Sequence, residues 1–99
     1  MSENIPGNVE TEARKARNIF IEALTEKIRG ALREYGGEDI IKKISAQEFQ
    51  TEAVKKVDVL GKKLFTHIKA EDAARFVSDY IYSDEIHEIV KRLYKTHSK

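Results

Sequence analysis

"VETEARKARNIFIEALTEKIRGALREYGG", residues 9–37, is the stretch that decides the class of fold. Val9, Ala13, Ala16, Phe20, Leu24, Ile28, Ala31 and Tyr35 follow one another at steps of three or four, the spacing that lines up side chains along one side of an α-helix. Ile19, Ala23 and Leu32 widen the stripe. The pattern predicts one helix of about seven turns, stopped at Gly36-Gly37, where a left-handed cap costs glycine nothing. Arg17 falls at the edge of the stripe and is expected to pack its stem while its head reaches solvent.

Before this stretch, residues 1–8 hold too little apolar surface to offset the entropy of ordering them. A flexible tail is expected there, with Asn8 as the helix N-cap and residues 9–96 as a single helical domain. The tail also lacks an apolar signal-like core, and no apolar run approaches the ~20 residues that a membrane span needs. The expectation is therefore a cytoplasmic protein with no membrane role.

After Gly37 the helical pattern continues. Ile40, Ile41 and Ile44 suggest a short helix, and Ser45 with Glu48 makes an S-x-x-E capping box, so that a new helix starts at Ala46. Its stripe is Phe49, Ala53, Val57, Leu60, Leu64 and Ile68, which carries the helix straight through Gly61. In residues 70–82, Ala70, Ala73, Ala74, Val77, Tyr80 and Ile81 share a face. The phase then slips by about two residues, because Ile86, Ile89, Val90, Leu93 and Tyr94 belong to a different stripe. A turn near Ser83 and a last helix to about Tyr94 follow, with Lys91, Arg92 and Lys95 where the macrodipole favours them. Strict alternation of apolar and polar residues is nowhere long enough for a sheet. The expected fold is all-α: a small bundle of four to five helices, two long and two or three short.

Length agrees with this, since 99 residues suit one domain. The chain has 18 Lys+Arg against 17 Asp+Glu, so it carries no strong overall field to draw it onto nucleic acid or membrane. With no cysteine there is no disulfide, thiolate metal site or cysteine nucleophile. The sequence also lacks G-x-S-x-G, the phosphate-cradling G-x-x-x-x-G-K-[ST] and G-x-G-x-x-G. The expectation is a non-enzymatic protein with no catalytic residues, cofactor or small-molecule substrate. Asp84 and His87 lie three apart but make only one loosely metal-like element, so His87 is read as solvent-facing and His97 as part of a frayed tail. Residues 68–72, "IKAED", resemble the segment entering the last helix of archaeal histone-fold proteins, a five-residue likeness from which no site residue is transferred.

Charge is uneven along the chain. Residues 40–69 hold 7 Lys+Arg and 3 Asp+Glu, a balance of +4, while the flanking segments balance at −2 and −1. Lys55, Lys62 and Lys69 repeat at sevens, opposite the apolar stripe if one helix runs through them, with Lys56 and Lys63 on its shoulder. Helix geometry alone places polar residues opposite a core. The excess of lysine over acid goes further and makes Lys55, Lys56, Lys62, Lys63 and Lys69 a candidate surface for nucleic-acid phosphates, without base readout because no arginine lies between 34 and 74. A protein partner accounts for other features. Tyr80, Ile81 and Tyr82 in succession cannot all face one core, and Val59 leans outward from its stripe, so Val59, Tyr80 and Tyr82 are candidate partner contacts. The favoured expectation is an interaction module that binds itself or a protein partner, a homo-oligomer in the first case, with nucleic-acid binding as the alternative.

Overall fold

A computed structural model of the chain describes the backbone of residues 4–98 and the side chains of residues 11–98. It is all-α, with no strand among the described residues. The five helices are α1 (Asn4–Gly36), α2 (Glu38–Lys42), α3 (Ala46–Leu60), α4 (Val77–Tyr80) and α5 (Ser83–His97); two 3-10 segments, Lys62–Thr66 and Ala70–Asp72, lie between α3 and α4. The small helical bundle expected from the periodicity is what the chain forms.

α1 is the spine, and all the other elements pack on it. Ala16, Phe20, Leu24, Ile28 and Leu32, each four residues after the last, are fully buried. Each of the larger side chains in that row contributes roughly 1.5–3 kcal/mol relative to exposure. At about 1.5 Å per residue, α1 also accounts for most of the 56 Å long dimension of the molecule. The helix begins at Asn4, so Asn8 lies inside it and not at its cap. Pro6 is tolerated there because amides in a first turn have no intrahelical acceptor. Of the tail expected over 1–8, residues 1–3 lie outside the described residues.

α1 ends where expected, with the Gly37 N–H donating to the Arg33 carbonyl at 2.8 Å and Gly37 at φ 86°. Gly36 serves a different need. A Cβ there would lie 2.7 Å from the Tyr94 ring and 2.9 Å from Ile40 Cγ2, so its bare backbone lets α5 and α2 close on the end of α1.

Ser45 caps α3 as read, accepting the Glu48 N–H at 3.2 Å. The Glu48 side chain does not return to Ser45; its Oε2 meets His97 Nε2 at 2.7 Å. His97 is thus not frayed: α5 runs past Tyr94 to His97, whose side chain is only 21% exposed. This contact is the first of three between α3 and α5. Glu52, a turn further along α3, accepts two hydrogen bonds of 2.8 Å from Arg92, and Lys56, a turn beyond that, donates to Glu85 at 3.0 Å. Steps of four put Glu48, Glu52 and Lys56 on one line of α3. The Arg92 hydrogen bonds hold the Glu52 carboxyl below its ordinary range despite its burial. The Tyr82 amide, and then Lys56, do the same for Glu85.

The continuous helix expected through Gly61 does not form. α3 stops at Leu60, and Gly61 takes φ 90°, ψ 158°, a conformation essentially reserved for glycine. The chain continues as the 3-10 segment Lys62–Thr66, in which Phe65 turns inward, 2% exposed, to meet the Phe20 ring edge-on at 5.4 Å. Leu64, placed in the stripe by helical periodicity, is only partly buried, while Phe65 within the 3-10 segment and Ile68 just beyond it enter the core. Residues 70–82 are likewise not one helix but a 3-10 turn, further turns and the short α4, although Ala73, Val77 and Ile81 do form a buried row. Ile81 and Tyr82 are extended, and α5 begins at Ser83, where the phase slip put it.

Candidate functional site

The lysines of residues 55–69 are redistributed by the break at Gly61. Lys55 stays on the exposed side of α3, close enough to Glu52 to help keep its carboxylate charged. Lys56 is engaged with Glu85 and half-buried. Lys62 and Lys63 belong to the 3-10 segment and Lys69 to the loop after it. The five do not form one ridge on one helix. The seven-residue spacing defines a shared face only while the helix is continuous, and Gly61 ends it.

What replaces the ridge is a cleft at the N-terminal part of α1. It has a volume of about 690 Å3, with Arg14 and Arg17 on the α1 side and Gly61, Lys62 and Thr66 on the other. Val57 and Phe65, both nearly inaccessible, close its floor. A second depression of about 440 Å3 shares Ala13, Phe65 and Thr66 with it and reaches Lys69. The Arg17 side chain is partly buried and its head lies at the surface, where Nη2 donates to Asp58 Oδ1 at 2.8 Å, tying α1 to the end of α3. Glu12 is likewise matched, with Lys15 at 3.8 Å. Among the described residues, no ion pair engages Arg14, Lys62, Lys63 or Lys69. Among the described residues, the two depressions are lined by Arg14, Arg17, Lys62 and Lys69 against Asp58 and Glu12, a local excess of positive charge.

A second surface lies towards the other end of α1. Tyr35 meets Tyr94 edge-on at 5.2 Å and the His87 ring at 5.8 Å, making an aromatic seam between α1 and α5. Tyr35 nevertheless keeps 49% of its surface exposed, although periodicity placed it in the α1 stripe. The candidate contacts named from sequence are all at the surface, Val59 at 83%, Tyr82 at 64% and Tyr80 at 39% exposure, while Ile81 between the two tyrosines is buried. Tyr80 packs loosely on Phe76, with ring centroids 6.4 Å apart. Val59 stands on α3 and the tyrosines on or beside α4 and α5. His87 is exposed, its ring against Tyr35, and among the described residues no three His, Asp or Glu side chains form a metal-ligating group. No described helix is long and apolar enough to cross a membrane.

Arg14, Tyr35 and Tyr94 went unread as site residues. Tyr35 and Tyr94 follow their apolar stripes so closely that periodicity assigns them to the core, and nothing local to Arg14 marks it as facing Lys62. No family model matches this chain, and no curated protein or solved structure matches it either. The likeness of residues 68–72 to histone-fold proteins therefore carries no assignment.

Proposed function

We propose that this protein is a small non-enzymatic interaction module that self-associates or docks on a protein partner through its helix faces. The observation that carries this reading is the aromatic seam: Tyr35 packs against both His87 and Tyr94 while half of Tyr35 still faces water. Tyrosine supplies large contact area at small conformational cost, with a hydroxyl that tolerates solvent while the surface is uncovered. Tyr82, also strongly exposed, adds to the same class of surface. Sedimentation equilibrium over a wide concentration range tests self-association. The wild-type mass should rise with concentration, and Tyr35→Glu, checked for native helicity by circular dichroism, should shift the equilibrium to monomer. A strict monomer throughout would reject self-association and restrict the module to a different protein partner.

A second reading, non-sequence-specific nucleic-acid binding, draws on Lys62, Lys63 and Lys69, which no acidic side chain engages among the described residues. Phosphate contacts of this kind give salt-sensitive affinity without sequence preference. A mobility shift at low salt, lost when the three lysines become glutamate, is the expected outcome. No shift at low salt removes the reading.

A further inference from the structure

We propose that the cleft between α1 and the Gly61 turn is a docking site for an acidic amphipathic helix of a protein partner. The proposal rests on the interaction-module reading, but on a different surface from the aromatic seam.

Charge complementarity identifies the occupant. Arg14 and Lys62 lie on opposite walls, exposed, with no ion pair among the described residues; in the adjoining depression Lys69 faces Glu12, which Lys15 meets at 3.8 Å, so the positive charge is concentrated in the main cleft. Among the described residues Asp58 is the one acid lining the main cleft, and it is already held by Arg17 at 2.8 Å, so it neutralises that guanidinium and not the other two cations. An entering carboxylate meets net positive charge from both sides. Arg14 offers a guanidinium fork suited to bidentate carboxylate binding, and Lys62 a compact ammonium.

The shape narrows the choice further. The cleft and its neighbour share Ala13, Phe65 and Thr66, so together they continue beside α1 and the 3-10 segment. Their walls include the methylene stems of Arg14, Arg17 and Lys62, which present apolar surface below their charged heads. A helix with apolar residues on one face and acids flanking them uses both features, in the helix-in-groove mode of recognition. Nucleic acid uses them less well. Phe65 is buried and cannot stack on a base, and cations on facing walls of a recess are poorly placed to follow a duplex backbone.

The test is a titration of the full chain, followed by fluorescence anisotropy and by amide chemical shifts. The probe is a labelled synthetic peptide with leucine on one helical face and glutamate on the other; the comparisons are the same peptide with lysine for glutamate, and short single- and double-stranded DNA. The proposal predicts saturable binding of the acidic peptide with shifts concentrated at residues 13–17 and 61–69. Arg14→Glu with Lys62→Glu should weaken it at least about tenfold, the equivalent of 1.4 kcal/mol, while Lys55→Glu, away from the cleft, leaves it within a factor of about two. The double variant's circular dichroism and sedimentation should match wild type. Absence of binding, equal binding of the lysine peptide, indifference to the double variant, or tighter binding of DNA with shifts at the same residues would each overturn it. Loss of self-association in Tyr35→Glu with peptide binding intact separates failure at the seam from failure at the cleft.

Discussion

Glu52 is the one charged side chain enclosed by the core among the described residues, 6% exposed, and Arg92 meets it with two parallel hydrogen bonds. A buried carboxylate is tolerated only while paired, and removing its partner leaves an uncompensated charge in a low-dielectric site. Arg92 is itself about half exposed, so Arg92→Leu should cost about 1–3 kcal/mol in urea unfolding, and Glu52→Leu combined with Arg92→Leu should recover much of that loss. The sign of the pH dependence follows from the depressed carboxyls of Glu52 and Glu85. Their stabilising contribution is complete above the ordinary carboxylate range, near pH 4.3, and is lost as pH falls through their lower folded values. Stability should decline on acidification below about pH 4.3, and the decline should be shallower in the doubly substituted protein. None of this pairing was legible in the sequence. Glu52 sits beside Ala53 in a clean apolar stripe, and its partner is 40 residues away on a helix whose orientation periodicity does not give.

The elements divide into those whose backbone follows from side-chain spacing and those where it does not. The body of α1 and its stop at Gly37, the start of α3 after Ser45 and the start of α5 at Ser83 were legible, because long stripes, a capping serine and a phase slip each have one physical reading; the first turn of α1, from Asn4, carries no such stripe. Gly61 was not. Leu60, Leu64 and Ile68 continue the α3 stripe in phase, so a helix through Gly61 and a break at Gly61 both bury apolar residues, and periodicity cannot choose between them. The choice lies in glycine's access to φ 90° and in the better burial of Phe65 against Phe20. Gly61→Ala should destabilise by about 1–3 kcal/mol, although no atom lies within 4 Å of the added methyl. Gly30→Ala, where there is also open space but the backbone is helical, should stabilise by about 0.5–1 kcal/mol. Thermal unfolding of both variants checks the contrast: two similar shifts would mean that the backbone at Gly61 is not strained for alanine.

At the scale of the whole molecule, α1 separates a cationic end from an aromatic seam, and the first depends on the fold of residues 61–69. The lysine excess of the middle segment was visible in the sequence, but its shape was not. A straight helix would have spread Lys55, Lys62 and Lys69 along one exposed ridge, whereas the break turns Lys62 towards Arg14 and leaves Lys55 behind on α3. Nuclear Overhauser contacts in solution test this most directly. Helical i to i+4 contacts should run from Ala46 and cease at Leu60, the 3-10 segment Lys62–Thr66 giving only i to i+3 contacts, together with cross-peaks between the Phe65 and Phe20 rings, whose centroids are 5.4 Å apart. An unbroken series of i to i+4 contacts from Ala46 through Ile68 would contradict the break at Gly61, and the cleft with it.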